Sequence, residues 1–233
     1  MRAQSQPPTI VDAPTGIPGT SVDSGAAVED APIDAGPPVD AAPGVDAAAL
    51  EMNPYGRPYP TKYIGWGERN GDAAGYVIAN LKFPGYRIGA TTPETISLAL
   101  VYDPEGRTHD IVVLITAGVW DSFSTKTMKA LKPNLPGRVA FVGVLSEGAE
   151  PGVGATLSDL DPWRLQLPNA IHVIDPQVAA LKPLGELAIA LPGIVILDAR
   201  TMEIVSGKVG APLDPVAVIE TARDTIKARP PAY

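Results

Sequence analysis

The chain has 233 residues, a net charge of −8 at neutral pH and no cysteine. Without a thiolate the chain cannot perform thiol–disulfide exchange or cysteine-based peroxide reduction, and it has neither disulfides nor thiolate metal sites. No basic cluster could follow a phosphate backbone, which argues against a nucleic-acid partner. No run of about 18 apolar residues could span a membrane. No secretory signal is visible, and whether it is absent, removed or lost to a wrongly chosen start stays open.

The N-terminal segment carries most of the charge. Residues 1–52 contain eight acidic residues and one basic residue, and so hold −7 of the net −8. Residues 1–48 are mainly Pro, Ala, Asp, Gly and Val, with an Ile/Val-Asp-Ala triplet that recurs every six residues. This composition cannot bury enough apolar surface to offset chain entropy. We therefore predict a disordered acidic tail over residues 1–52 that acts as a spacer, followed by a linker over 53–73.

Residues 74–233 have the hydrophobic pattern of one globular domain. Runs of apolar and β-branched residues predict strands at 95–102, 110–117, 139–145, 170–174, 193–198 and 203–209. The runs at 110–117 and 139–145 are apolar almost throughout, as expected for strands that are covered on both faces. We expect the short run at 170–174 to be an edge or connecting strand, and 203–209 to pair with 193–198.

Helix signals lie between and after these strands. A helix is predicted over 122–132, ended by Pro133. Asp175-Pro176 and Asp214-Pro215 each predict a helix start, because aspartate caps free N–H groups and proline is tolerated at the first helical position. The first of these helices would end near residue 182. The strand–helix–strand unit over 110–145 requires a right-handed parallel crossover, so the fold class is an α/β mixed sheet flanked by helices.

Three landmarks occur in an order that resembles a thioredoxin fold of the TlpA/redoxin kind, over about residues 74–228. A buried strand ends in Ala117-Gly118-Val119-Trp120 directly before a helix. Leu191-Pro192 precedes the strand at 193–198, and a hairpin over 198–210 precedes the last helix. The resemblance implies a thioredoxin-like mixed sheet flanked by helices, with a cis peptide bond at Leu191–Pro192 that faces the loop around Trp120.

The sequence departs from the family at the residues that carry the family's redox chemistry. The family's two redox cysteines would stand at Asp121 and Ser124, and a peroxiredoxin motif would need threonine at Gly118. The resemblance therefore implies a degenerate site with no catalytic residue and no cofactor. Extended peptides pair with backbone groups in such clefts, and that pairing needs no cysteine. We predict a peptide-binding cleft at the degenerate position, made of Trp120, Asp121, Ser122, Phe123, Ser124, Leu191 and Pro192.

The side chains around this loop have simpler interpretations as well. Asp121 is predicted to cap the following helix, since no second acid stands at a spacing that would support acid–base chemistry. Phe123 is expected to turn into the core under the helix, and Trp120 to lie exposed in the cleft. His109 and His172 form no metal-binding motif, so both are interpreted as structural residues and no metal site is predicted.

Three functions remain open. The first is a non-catalytic domain on a flexible tether, used for binding or scaffolding in the bacterial periplasm or cell envelope, with an extended peptide or an envelope protein as its partner. Its acidic Pro/Ala-rich leader resembles the stalks of bacterial envelope lipoproteins, although the lipid-bearing cysteine is missing. The second is an enzyme that uses non-cysteine chemistry in the same cleft. The third is an oxidoreductase by descent whose thiols have been replaced in this chain.

Overall fold

The computed structural model describes residues 51–61, 74–132 and 137–229. The predictions for residues 1–50, for most of the linker and for Pro133 therefore lie outside the described residues. Within the described ranges, no helix is long and apolar enough to cross a membrane.

The described chain forms one seven-stranded sheet with helices on its faces. The strands are β1 (Lys82–Tyr86), β2 (Glu94–Ser97), β3 (Ile111–Gly118), β4 (Val139–Glu147), β5 (Ile171–Ile174), β6 (Gly193–Asp198) and β7 (Ile204–Val209). The α-helices are α1 (Ser122–Leu131), α2 (Leu157–Trp163), α3 (Glu186–Ile189) and α4 (Pro215–Lys227), joined in places by short 3-10 turns. The order across the sheet is β2-β1-β5-β4-β3-β6-β7.

The strand directions confirm the predicted thioredoxin-like fold. β3 and β4 are parallel and are connected by α1, and β5 is parallel to β4. β6 runs antiparallel to β3, β7 runs antiparallel to β6, and α4 follows this hairpin. The result is a mixed sheet in which a strand–helix–strand unit is followed by a hairpin and a final helix.

The core lies on both faces of the sheet, because the central strands are covered on both sides. All eight positions of β3 are buried. Val112 and Leu114 point into one apolar cluster, while Val113 and Ile115 point into the other. This alternation explains why β3 is apolar almost throughout instead of alternating between apolar and polar residues. α1, α2 and α4 cover the second of these clusters.

The strand predicted at 95–102 is wrong in its second half. β2 ends at Ser97, and Leu98–Val101 form a 3-10 turn in which Leu98 and Val101 are buried. Asn80 accepts a hydrogen bond from the Ala99 N–H at 2.9 Å, which holds the turn. A short apolar run is compatible with a strand or with a buried helical turn, so periodicity alone could not distinguish the two.

The edge position predicted for 170–174 is also wrong. β5 lies between β4 and β1, because the β1–β2 hairpin adds to its free side. β1, which contains Pro84 and Gly85, was not predicted from the sequence. Gly85 is required there by close approach, since a Cβ at this position would lie 2.2 Å from the carbonyl oxygen of His172.

The helix predicted from Asp175 to about residue 182 does not form as one element. Gln177 and Val178 have φ values of 57° and 51°, in the left-handed region. The Asp175 carboxylate instead accepts hydrogen bonds from the N–H groups of Ala180 at 2.8 Å and Leu181 at 2.9 Å. Asp175 therefore stabilises a loop, and its side chain competes with the helical arrangement that its sequence context predicts.

Candidate functional site

Asp121 begins α1 as its N-cap, as predicted. Its Oδ1 accepts a hydrogen bond from the Phe123 N–H at 3.1 Å, and its Oδ2 accepts one from the Ser124 N–H at 2.8 Å. The Ser124 hydroxyl also donates to Oδ2, at 2.6 Å. These bonds satisfy N–H groups that the first helical turn leaves without an intrahelical partner. The two residues at the family's cysteine positions are thus joined to each other.

Both side chains at this position are buried. Asp121 is only 5% exposed and Ser124 is 0% exposed. Among the described residues, no histidine, lysine or second carboxylate hydrogen-bonds to either side chain. A nucleophile also needs access to its substrate, and the fully buried Ser124 hydroxyl has none. Within the residues that the structure describes, no group of three or more His, Asp or Glu side chains is arranged so that it could hold a metal ion.

The indole of Trp120 is fixed at the end of β4. Its Nε1 donates to Glu147 Oε2 at 2.5 Å, and the N–H of Gly152 donates to the same oxygen at 3.1 Å. The backbone N–H of Trp120 donates to the Gly148 carbonyl at 3.2 Å. Trp120 nevertheless remains 42% exposed. The loop after β4 therefore holds the ring in place while one face stays open to solvent.

Leu191 and Pro192 lie beside this loop. Their peptide bond is cis, as predicted. A Cβ added to Gly118 would lie 3.1 Å from both Leu191 Cδ1 and Trp120 Nε1. Gly118 therefore sits between the two side chains, and the structure brings together the segments that the resemblance placed face to face.

The backbone around Leu191 is held from both sides. The Thr116 hydroxyl donates to the Ala190 carbonyl at 3.2 Å and accepts from the Gly193 N–H at 3.0 Å. Within the described ranges, by contrast, no hydrogen bond engages the N–H or C=O of Leu191 itself. The backbone at Leu191 is thus held in position by its neighbours, while its own N–H and C=O groups make no hydrogen bond within the described ranges.

The prediction that Phe123 packs under the helix is wrong. Phe123 is 59% exposed. α1 buries Ser124, Thr127, Met128 and Leu131, and this i, i+3, i+4, i+7 pattern defines its inner face. Position 123 lies outside that pattern, and so does Ser122, which is also exposed.

Glu147 and Thr116 were missed by the sequence analysis. Each lies in or at the end of an apolar strand, and neither belongs to a recognisable motif. The available signal was register, because Glu147 pairs with Gly118 across parallel strands. A carboxylate at the end of β4 therefore lies close to the residues that follow β3.

The two histidines lie apart from this site. His172 is buried on β5, and its Nε2 lies 2.8 Å from the Leu167 carbonyl oxygen. Burial lowers the pKa of His172, with a smaller contribution from Arg164 in the same direction and an opposing one from the Leu167 hydrogen bond. His109 lies in the turn before β3, and burial lowers its pKa as well. Neither side chain hydrogen-bonds to the Trp120–Ser124 segment.

No protein-family profile matches the sequence, and no curated protein matches it. Several solved structures resemble the chain at low sequence identity. An exposed lipoprotein thioredoxin from Streptococcus pneumoniae is 17% identical, with a TM-score of 0.44, over 63% of this chain and 99% of that chain. Peroxidoxin BcpB from Mycobacterium tuberculosis is 13% identical, with a TM-score of 0.47, over 68% and 98%. A secreted thiol-disulfide isomerase from Corynebacterium glutamicum is 14% identical, with a TM-score of 0.45, over 64% and 85%.

These likenesses concern the fold alone. The order of the elements, the directions of β3, β4, β6 and β7, and the loop that faces Leu191–Pro192 are those predicted from the three landmarks. The chain therefore has a thioredoxin-like fold, without a cysteine anywhere in its sequence.

Proposed function

We propose that this chain is a catalytically inactive thioredoxin-like domain that binds an extended peptide segment of an envelope protein. The observation that carries the proposal is the unpaired backbone of Leu191 beside the exposed face of Trp120. An extended peptide pairs with such N–H and C=O groups through its own backbone, and a neighbouring aromatic ring provides apolar contact for a side chain.

Preorganisation supports this proposal. The Trp120 ring is hydrogen-bonded to Glu147, and Thr116 holds the residues on either side of the Leu191–Pro192 pair. A binding surface that is already ordered loses little conformational entropy when its ligand arrives. The rigid indole and the held backbone favour a binding role over a segment that is exposed by chance.

The side chains at Asp121 and Ser124 support the non-catalytic part of the proposal. The chain has no thiol, and the Asp121 carboxylate is engaged by two N–H groups and the Ser124 hydroxyl. The envelope location rests on the acidic Pro/Ala-rich composition of residues 1–48, which resembles lipoprotein stalks and suits a tether. Cell fractionation tests that location, and a purely cytoplasmic pool would contradict it.

The experiment is photo-crosslinking of the full chain in an envelope fraction, followed by binding measurements with the crosslinked segment as a synthetic peptide. Trp120→Ala is expected to raise the Kd at least tenfold while leaving the melting temperature within about 2 °C, because the ring is at the surface. Hydrogen exchange should show new protection at the Leu191 N–H when the peptide binds.

Leu165→Ala is the matched control, since Leu165 is an exposed apolar residue on the segment after α2. This variant should bind the peptide as the unmodified chain does. If Trp120→Ala lowers the melting temperature by many degrees and binding is lost only through unfolding, Trp120 is a structural residue and the proposal fails.

A further inference from the structure

A second apolar surface lies between α1 and the loop that connects β7 to α4. The two segments enclose a cleft of about 160 Å³, here named the α1–α4 cleft, lined by Phe123, Lys126, Thr127 and Ala130 on one side and by Ala211, Pro212, Leu213 and Pro215 on the other. Phe123 and Leu213 are both exposed. Large apolar side chains that remain exposed at the rim of a cleft mark an interaction surface.

The charge beside this cleft is positive on balance. Lys126 and Lys129 lie one turn apart on the exposed side of α1, and within the described ranges no carboxylate lies within 4.0 Å of either amino group. Of the two acidic residues at the ends of the cleft, Asp121 is buried as the cap of α1. Asp214 is exposed and accepts a hydrogen bond from the Ala217 N–H at 3.0 Å, so two lysines face one exposed carboxylate. A partner that carries negative charge is favoured.

The floor of the cleft holds a further polar group. Thr127 is buried, and its hydroxyl has no hydrogen-bond partner in the part of the chain that the structure describes. The cleft is smaller than the roughly 300–1,000 Å³ of small-molecule sites. Its size therefore suits a single side chain of a peptide better than a cofactor.

We infer that the α1–α4 cleft binds an apolar side chain of a partner peptide whose flanking residues are acidic. The apolar side chain enters between Phe123 and Leu213, and the acidic flanks contact Lys126 and Lys129. This inference does not rest on the binding proposed at Leu191 and Trp120, because neither of these residues lines the α1–α4 cleft.

The test is selection of a displayed library of random twelve-residue peptides against the full chain, followed by anisotropy measurements with the selected peptides. We expect enrichment of sequences in which Leu, Ile, Phe or Met has Asp or Glu within three positions. Phe123→Ser and the double variant Lys126→Glu/Lys129→Glu should each weaken binding at least tenfold. The affinity of the unmodified chain should fall as salt is raised, because exposed charges are screened.

Lys182→Glu is the matched charge control, since Lys182 is exposed in the segment before α3 and lies outside the cleft. This variant should leave the Kd of the selected peptides unchanged. Trp120→Ala should leave it unchanged as well, which separates the α1–α4 cleft from the binding proposed at Leu191 and Trp120. The inference is overturned if no acidic-apolar sequence is enriched, or if Phe123→Ser binds the selected peptides normally. It is also overturned if Lys126 and Lys129 are needed only for binding to phosphatidylglycerol vesicles.

Discussion

Asp103 and Asp121 lie at opposite ends of β3, and both are almost completely buried. The Asp103 carboxylate accepts hydrogen bonds from the N–H groups of Arg107 at 2.9 Å, Thr108 at 2.6 Å and His109 at 2.9 Å, and from the Thr108 hydroxyl at 2.9 Å. Burial alone would raise the pKa of Asp103, but these donors outweigh it and hold the pKa below its usual value. Asp121 likewise accepts hydrogen bonds from backbone N–H groups and from a hydroxyl, in its case at the start of α1.

The surfaces around the two aspartates differ. Near Asp103 the exposed side chains are charged and paired, as in the contacts of Arg57 with Glu105 at 2.9 Å and of Arg138 with Asp110 at 2.9 Å. Around Asp121 the exposed side chains are the aromatic rings of Trp120 and Phe123. The same buried-carboxylate arrangement therefore serves structure at both ends. Paired charges and Tyr55 surround it at one end, and the more exposed rings of Trp120 and Phe123 lie beside it at the other. A position in a family motif does not define a role until its hydrogen bonds are known.

The largest effect is expected at the Asp121 end, from Gly193→Ala. A Cβ at this position would lie 2.1 Å from the Leu187 carbonyl oxygen and 2.5 Å from Thr116 Oγ1. The backbone must shift, so we expect a loss of about 3 kcal/mol in the free energy of unfolding, measured by urea denaturation. Gly137→Ala is the control, since among the described residues no atom beyond its chain neighbours lies within 4 Å of its added Cβ. Equal losses in the two variants would contradict the packing argument.

The two aspartates can be compared directly by alanine substitution. Asp103→Ala removes four hydrogen bonds from a buried carboxylate, and we expect a loss of about 2–3 kcal/mol in the free energy of unfolding. Asp121→Ala removes a helix cap, and we expect about 1–2 kcal/mol. Asp161→Ala, at an exposed ion pair, should cost at most about 0.5 kcal/mol. A larger cost at Asp121 than at Asp103 would reverse the comparison.

A smaller effect should appear in the pH dependence of stability. The folded-state pKa of His172 is lowered, chiefly by burial, so below about pH 6.5 the unfolded chain takes up a proton that the folded chain excludes. The His172 contribution is complete above pH 6.5 and is lost as the pH falls toward the lowered pKa, at up to about 1.4 kcal/mol per pH unit. His172→Gln should flatten this slope between pH 7 and pH 5 in urea titrations. An unchanged slope would show that the pKa of His172 is the same in the folded and unfolded chains.

No effect at all is expected in redox assays. The chain has no cysteine, and the Asp121 and Ser124 side chains are buried and hydrogen-bonded to each other in the cap of α1. Insulin disulfide reduction and hydrogen peroxide consumption should therefore equal those of a heat-denatured sample. Turnover above that control would mean that the Asp121 end of β3 performs chemistry, unlike the Asp103 end.

The sequence by itself determined the central elements. β3, β4, β6 and β7 lie within two residues of the predicted strands, and α1 within one residue of the predicted helix. Apolar β-branched runs and the helix starts at Asp121 and Asp214-Pro215 are local signals, and the same neighbours that produce the signal also form the element. The Asp121 cap belongs to the same class, because its partners Phe123 and Ser124 are two and three residues away.

Only the tertiary structure decided the features that depend on distant segments. The β1–β2 hairpin moves β5 from the edge of the sheet to its interior, and no signal within β5 records that neighbour. Phe123 faces solvent because packing against the sheet selects the inner face of α1. Thr116 bonds to the Ala190 carbonyl, 74 residues later in the chain, and Trp120 bonds to Glu147, 27 residues later. Such contacts depend on strand register and loop closure, which are determined by the packing of the whole domain.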